Sequence, residues 1–213
     1  MASMAALANA HGYFTSPAGR VPGALFQSEC GMQAYYQMSG DINGNIQGLQ
    51  QTTKGQADYT AACRLWMCKG MKYADNTANV QKYTAGQTVP LVFDIRAPHT
   101  GVANVSIVHT ANNNLIAKNL KTWTNYASNS VPAIASQSSF SIKMPTNLGS
   151  KCAKAGDCVI QMYWDAASVD QTYESCIDFS MPAAASKRGL DGGMEDVVAR
   201  PHARDFSPRE GSE

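Results

Sequence analysis

The sequence has few charged side chains, no long apolar run and no cysteine pair of the CxxC type. Charged residues make up 15% of the chain, and the formal net charge is +1 at pH 7. A nucleic-acid partner is therefore not expected, because proteins that neutralise phosphates need a strongly basic face. No stretch approaches the roughly 20 consecutive apolar residues of a membrane-spanning helix, so no membrane partner is expected either.

An even set of six cysteines could serve two kinds of chemistry: Cys30, Cys63, Cys68, Cys152, Cys158 and Cys176. Such cysteines form disulfides in oxidising compartments, whereas thiolates elsewhere bind zinc. Structural zinc sites use tighter spacings and often histidine, so we favour disulfides. The spacing leaves the pairing open, although the short loop from Cys152 to Cys158 could close locally.

The first ten residues, MASMAALANA, are typical of the end of a secretory signal peptide. Ala8, Asn9 and Ala10 form a small-x-small cleavage signature after a short apolar stretch. There is no basic region before that stretch, so we interpret residues 1–10 as a signal-peptide remnant, with a plain alanine-rich tail as the alternative. Cleavage after Ala10 would make His11 the first residue of a secreted, extracellular protein.

Residues 11–181 are predicted to form one domain that is mostly β-structure. Alternating or β-branched runs indicate strands over residues 89–97, 102–109, 139–144, 157–164 and 175–181. Residues 30–75 are rich in Gly, Gln and Asn, and we expect a long loop region there with short helices, fixed by its cysteines. Short strands separated by turn signals predict a β-sandwich. Residues 182–213 have few large apolar residues, so we expect a disordered C-terminal tail.

The chain has only four histidines, His11, His99, His109 and His202. An N-terminal histidine can chelate a metal ion through its α-amine and its own imidazole, and a second imidazole would complete a three-nitrogen set that suits copper. His99 follows a strand in a turn between Pro98 and Gly101, which is a plausible place for a ligand, although a loop histidine without a role is the ordinary alternative. His109 is the fallback ligand, and His202 lies in the tail.

A third element is the string QTYESC near the end of the domain. Gln171 and Tyr173 are two residues apart, so on an extended strand their side chains face the same side. Tyr173 could place its phenol near the metal, and Gln171 could orient that phenol or an oxygen species from the outer shell. A core tyrosine on a strand is the ordinary alternative.

HGYFTSP at the cleavage point, RAPHTG, and QTYESC together resemble a fungal lytic polysaccharide monooxygenase. The sequence is most similar to auxiliary activity family sixteen, and the similarity extends through GNIQGLQQ, CRLWMCKGMKYADN and ANVQKYTAGQTVP. The resemblance covers most of residues 11–181. It implies an immunoglobulin-like or fibronectin-type sandwich, one copper ion held by His11 and His99 in a histidine brace, axial Tyr173, and second-sphere Gln171.

The same resemblance implies oxidative cleavage of crystalline polysaccharide, most simply cellulose oxidised at C1, with an external electron donor and O2 or H2O2. A monomer is expected, and Tyr13 is the candidate substrate contact. Cellulose-active relatives carry a second-sphere histidine before the QxY string; YWDAASVD has none here, which leaves Asp165 or another group for that role. A non-catalytic copper-binding protein, a metal-free carbohydrate-binding domain and a chitin-directed monooxygenase are the alternatives. Asn104 begins the one glycosylation sequon that we find.

Overall fold

The computed structural model describes residues 11–128, 130 and 134–182. The expected signal-peptide remnant at residues 1–10, the tail from residue 183 onwards and His202 lie outside the described residues. None of the helices in the described part is long and apolar enough to cross a membrane.

Two β-sheets enclose the main core. The smaller sheet has the strand order β1 (His11–Ser16), β3 (Thr88–Ala97) and β6 (Ser139–Lys143). The larger sheet has the order β2 (Gln81–Lys82), β8 (Gln171–Ser180), β7 (Cys158–Ala166), β4 (Gly101–His109) and β5 (Asn114–Tyr126). All pairings are antiparallel except that of β2 with β8. The predicted all-β, immunoglobulin-like sandwich is confirmed.

Alternation along the strands fills the space between the sheets. In β3, Val89, Leu91 and Phe93 are buried, as expected for side chains two residues apart on one face. Trp164 of β7 and Tyr173 of β8 pair across their strands, and their ring centroids are 4.6 Å apart. Aromatic pairs at this distance add to the stability that burial of apolar surface already provides. The core therefore extends to the first residues of β8.

A helical segment between β1 and β2 covers the outer face of the larger sheet. It contains α1 (Ala24–Cys30), α2 (Met32–Gly40) and α3 (Ile46–Thr53), and a fourth helix, α4 (Ile134–Ser138), precedes β6. Phe26, Met38, Ile46 and Leu49 of the segment form an apolar cluster of their own. The prediction of short helices in a long loop region is confirmed, with the first helix starting before residue 30.

The six cysteines form three disulfides, Cys30–Cys63, Cys68–Cys176 and Cys152–Cys158. The disulfide prediction is confirmed, including local closure of the last pair, and none of these sulfurs is free for zinc. Cys30–Cys63 closes a loop within the helical segment. Cys68–Cys176 joins that segment to β8.

The side chains on the outer face of β8, which are those of every second residue, contact the helical segment: Thr172, Glu174, Cys176 and Asp178. The Gln47 side chain accepts from the Thr172 backbone N–H at 2.8 Å and donates to the Thr172 hydroxyl at 3.0 Å. The Glu174 carboxylate accepts from the Cys68 N–H at 2.9 Å. The segment is therefore fixed along the whole strand that carries the predicted Gln171 and Tyr173.

Candidate metal centre

The strand pairings bring the three predicted elements to one end of the sandwich. His11, the first residue of β1, pairs with Ala97, the last residue of β3. Residues 98–100, which include His99, connect β3 of the smaller sheet directly to β4 of the larger one. Beside that connection, β7 ends at Ala166, which pairs with Gln171 at the start of β8. Backbone topology thus places residues 11, 99 and 171–173 at the same end of the sandwich.

The start of β1 is held against the loop between α2 and α3. The Gly12 N–H donates to the Asn43 carbonyl oxygen at 3.2 Å. On its other side, a Cβ at Gly12 would lie 2.3 Å from Cε1 of Phe93 and 3.3 Å from the Trp164 ring. Only glycine lets the backbone lie this close to the two rings. The residue after His11 is therefore fixed from both sides.

Close approach also requires glycine at the residue that opens β4, two positions after His99. A Cβ at Gly101 would lie 2.1 Å from the Asp165 carbonyl oxygen, a distance that real contacts do not reach. The sequence interpretation assigned this glycine to the turning of the chain. The structure instead shows that it lets β4 approach β7 closely enough to fix the His99 connection.

Replacing Gly101 with alanine is expected to destabilise the protein by about 1–3 kcal/mol, because backbone must move to admit the methyl group. The same movement displaces the His99 connection, so weaker copper binding is expected as well. Denaturant unfolding and copper titration measure the two effects. Gly40→Ala is the matched control, since no atom lies within 4 Å of its added Cβ; equal behaviour of the two variants would contradict this role.

Gln171 and Tyr173 share one face of β8, and the Tyr173 hydroxyl donates to Gln171 Oε1. Tyr173 is fully buried, and burial raises the pKa of its phenol well above the ordinary value, against the opposing effect of the Asn45 side chain. The phenol is therefore neutral near pH 7, with its proton directed to the glutamine. The predicted same-face arrangement is confirmed; its role at a metal stays a prediction.

Of three other sequence candidates, only His109 lies away from this end of the sandwich. His109 ends β4 at the opposite end of the sandwich, with its Nδ1 3.3 Å from Asn112 Oδ1. The Tyr13 hydroxyl donates to the Gly19 carbonyl oxygen at 2.7 Å, so the ring packs over a turn, and a role as substrate contact stays a prediction. Asp165 follows the inward-facing Trp164 in β7 and pairs with Thr172, whose side chain contacts Gln47 on the outer face of the sheet. It therefore faces away from Tyr173, and the suggestion that it replaces a second-sphere histidine was wrong.

Sequence reasoning missed the loop between α2 and α3, which contributes Asn43 and Asn45 to this end. Asn45 caps α3, since its side chain accepts from the Gly48 N–H at 2.7 Å. An asparagine just before an apolar helix start is a recognisable cap signal. The contact of this loop with β1 is long-range, however, and no local pattern predicts it.

A buried lysine holds the loop between α2 and α3 in place. Lys69 Nζ donates to the carbonyl oxygens of Ile42 and Gly44 at 2.5 and 3.2 Å, on either side of Asn43. Burial lowers the pKa of Lys69 to about 7, while the Asp41 and Glu174 carboxylates oppose this shift. Lys69 therefore fixes the loop that in turn holds the start of β1.

The backbone around this lysine is itself unusual. Cys68 and Lys69 both have a φ of 56°, in the left-handed region that side chains other than glycine seldom adopt. Their successive N–H groups bind the Glu174 carboxylate, as such paired donors commonly bind an anion. Burial raises the pKa of Glu174 to about 7, and these two backbone bonds oppose the shift. The strained turn is held by the disulfide and the carboxylate together.

The donors at this end fit copper. Two imidazoles, and the α-amine of His11 in a chain that begins there, are intermediate ligands of the kind that copper accepts, and a buried neutral phenol would supply a weak oxygen donor. Within the described residues, no group of three or more His, Cys, Asp or Glu side chains is arranged to hold a metal. A site built on the His11 amine and two imidazole rings contains only two of these side chains, so it would not count as a group of three.

A protein-family model described as "Lytic polysaccharide mono-oxygenase, cellulose-degrading" matches residues 11–179. The match begins at His11 and covers most of the chain. This protein belongs to the lytic polysaccharide monooxygenase family. It is thus a copper monooxygenase that degrades polysaccharide oxidatively. A comparison with curated proteins finds no match.

Solved structures similar to this monooxygenase include three bacterial proteins. A chitin-binding domain from Burkholderia pseudomallei has 14% identity and a TM-score of 0.44, covering 81% of this chain and 99% of its own. An AA10 lytic polysaccharide monooxygenase from Streptomyces lividans has 17% identity and a TM-score of 0.42, covering 80% and 99%. A Bacillus amyloliquefaciens CBM33 protein, solved in complex with Cu(I), has 14% identity and a TM-score of 0.39, with the same coverage.

Proposed function

We propose that this chain is a secreted, monomeric monooxygenase of the fungal type, closest to auxiliary activity family sixteen, that cleaves crystalline cellulose with oxidation at C1. The catalytic domain spans residues 11–181, between a signal-peptide remnant at residues 1–10 and a C-terminal tail at 182–213. The observation that carries the proposal is the convergence of residues 11, 99 and 171–173 at one end of the sandwich.

One copper ion would be held by the α-amine and ring of His11 and by the ring of His99, with the Tyr173 phenol as a further oxygen donor. Bound there, copper supplies the redox chemistry that activates O2 or H2O2 after reduction by an external donor. Gln171 orients the Tyr173 phenol through their hydrogen bond. The chain's own residues thus hold these donors in place and direct the proton of the Tyr173 phenol to Gln171.

The remaining parts of the site position the first residues of the mature chain. Asn43 receives the Gly12 N–H, and Phe93 and Trp164 close off the other side of that residue. A free amine at His11 would therefore be presented on a backbone that cannot turn away. Tyr13, two residues later, is proposed to contact the glucan where its ring remains half-exposed.

Cellulose is favoured as the substrate because the family description names it, and chitin is the alternative.

The sequon at Asn104 lies on β4, where its Oδ1 accepts from the Ser106 hydroxyl at 2.9 Å. We propose N-glycosylation there in a secreted protein, on an asparagine that is half-buried.

Copper titration of two chains tests this function directly. A chain that begins at His11 is expected to bind one copper ion tightly, whereas a chain that retains Ala10 is expected to bind far more weakly, because its α-amine at residue 11 is then an amide. Copper-loaded protein with a reductant and peroxide should then release C1-oxidised products from cellulose. Tight binding without oxidised products from cellulose or chitin would favour a non-catalytic copper protein instead.

A further inference from the structure

Two adjoining clefts run along the outer side of the molecule, and both are lined by residues at the end of the sandwich opposite His11 and His99. The larger encloses about 620 Å³ between the end of α3 and the segment from Cys63 to Met67. The smaller encloses about 300 Å³ over the outer face of β4, β7 and β8. Both are lined by Trp66 and Asn113, so they join there. Their volumes fall within the roughly 300–1,000 Å³ of ordinary ligand sites.

Exposed aromatic side chains line the joined clefts. Trp66 is 42% exposed and Tyr59 is 38% exposed, and Leu115 beside them is 46% exposed. Aromatic side chains offer large, flat faces against which a ligand can stack. Tyr163 adds a further ring to the wall of the smaller cleft.

Trp66 is held in a prepared position. It lies in the short segment between Cys63 and Cys68, and each of these cysteines is in a disulfide, one to Cys30 and one to Cys176. Asn113 Nδ2 donates to the Trp66 carbonyl oxygen at 2.8 Å, which fastens the segment to the turn between β4 and β5. Because its backbone is already fixed in this way, the segment loses little conformational freedom when Trp66 binds a ligand.

The polar groups of the clefts are mainly amides, contributed by Gln50, Gln56, Asn104, Asn113 and Gln161. The charged groups are Lys54, Arg64 and Glu174. Arg64 Nη1 donates to the Thr110 and Ala111 carbonyl oxygens, and Glu174 accepts from the Cys68 N–H. Amides both donate and accept hydrogen bonds, which suits the hydroxyls of a neutral sugar.

From these observations we infer that the joined clefts bind a single β-1,4-linked glycan chain, with Trp66 as the stacking platform. The choice of glycan class rests on the proposed function. The smaller cleft extends along the outer face as far back as Asn104, but the Trp66 end of the site is distant from the metal centre. β4 runs from Gly101, beside His99, to His109, and nine residues span about 27 Å. Asn113 lies beyond that far end. The clefts would hold one loose chain of the substrate while the metal centre at His11 and His99 acts on the surface of the solid substrate.

Binding of cellohexaose to the copper-free chain starting at His11 and made in a bacterial host tests the inference. The protein has three tryptophans, and Trp164 is buried while Trp123 packs against Tyr126 and Phe140. We expect cellohexaose to shift the indole N–H signal of Trp66 in NMR spectra and to leave the other two in place. By calorimetry, Trp66→Ala should weaken binding about tenfold or more, as loss of a central aromatic anchor does.

Matched variants separate this site from the metal centre. Trp66→Phe retains a ring and should restore part of the affinity, and Tyr36→Ala, which removes a ring that is 62% exposed on α2, should not change it. His99→Ala should bind cellohexaose as the parent does, and Trp66→Ala should bind copper as the parent does. If oxidised products form but cellohexaose, xylohexaose and chitohexaose all leave the Trp66 signal unmoved, the inference is overturned and the proposed function stands.

The protein's own glycan is the other source of sugar at this place, because Asn104 lines the smaller cleft. The same sequence made in a glycosylating host distinguishes the two sources. Equal cellohexaose affinity of both preparations supports a free chain as the ligand. Loss of binding only in the glycosylated preparation would show that the clefts are covered by the attached glycan, and would overturn binding of a free chain in the secreted protein. If cellohexaose shifts the Trp66 indole signal but the protein does not bind copper, the proposed function is contradicted and the inference about the clefts is not.

Discussion

Replacing His99 with alanine is expected to abolish tight copper binding, whereas replacing His109 should leave it intact. His99 lies in the connection next to the start of β1, while His109 is at the other end of β4. Loss of one nitrogen from a three-nitrogen set should cost more than the roughly 10–100-fold that removal of an outer-shell partner costs. His11→Ala removes one of the two rings and should have a similar effect.

Isothermal titration with a competing chelator measures these affinities, and thermal unfolding gives an independent readout. A ligand at about 100 times its dissociation constant stabilises the folded state by about 2.7 kcal/mol. Copper should therefore raise the unfolding temperature of the parent and of His109→Ala, and should leave that of His99→Ala unchanged. Lost binding in His109→Ala together with retained binding in His99→Ala would move the site to the opposite end of the sandwich.

The sequence predicted the strands of the core because their buried faces alternate. In β3 the period of two is plain from the residues alone. β8 was predicted only over residues 175–181 and is buried on both faces, but an extended backbone before it was expected to put Gln171 and Tyr173 on one face, and their hydrogen bond confirms this. β1, β2 and β5 were not predicted. β5 lies at the edge of the larger sheet, and only Tyr126 among its 13 residues is fully buried. Four of its apolar side chains are only partly buried against the core, and register shifts in its pairing with β4 interrupt the period of two.

The candidate site divides in the same way. Its histidines and the glutamine–tyrosine pair have local signatures, namely a cleavage motif, a turn and a spacing of two. Asn43, Lys69 and the close contact of Gly101 with Asp165 arise from pairings between segments far apart in the chain. No local pattern encodes these contacts, since they depend on which strands become neighbours.

Replacing Arg20 with methionine is expected to destabilise the protein by about 3–5 kcal/mol, because it leaves the Asp178 carboxylate buried without its partner. Arg20 Nε and Nη2 each donate to one Asp178 oxygen at 2.7 Å, and Nη1 donates to the Met71 carbonyl oxygen at 2.9 Å. Both side chains of this ion pair are at most 5% exposed. Denaturant unfolding of the parent and the variant measures the loss.

The exposed ion pair between Arg96 and Asp94 provides a matched control. Its Nε–Oδ2 distance is 3.0 Å, but the Arg96 side chain is 67% exposed, so Arg96→Met should cost less than about 1 kcal/mol. Equal losses in the two methionine variants would contradict the importance of burial.

A double variant then separates the attraction within the buried pair from the cost of burying its charges. Arg20→Met combined with Asp178→Leu removes both charges, and replacing a whole buried pair with apolar groups of similar size is often nearly neutral. We therefore expect the double variant to recover most of the stability that Arg20→Met loses. Because Asp178 lies two residues beyond Cys176 on β8, such recovery would show that the disulfide and apolar contact together suffice to keep the helical segment on the sheet. A double variant as unstable as the single one would mean that the guanidinium itself, through its bond to Met71, orients that segment.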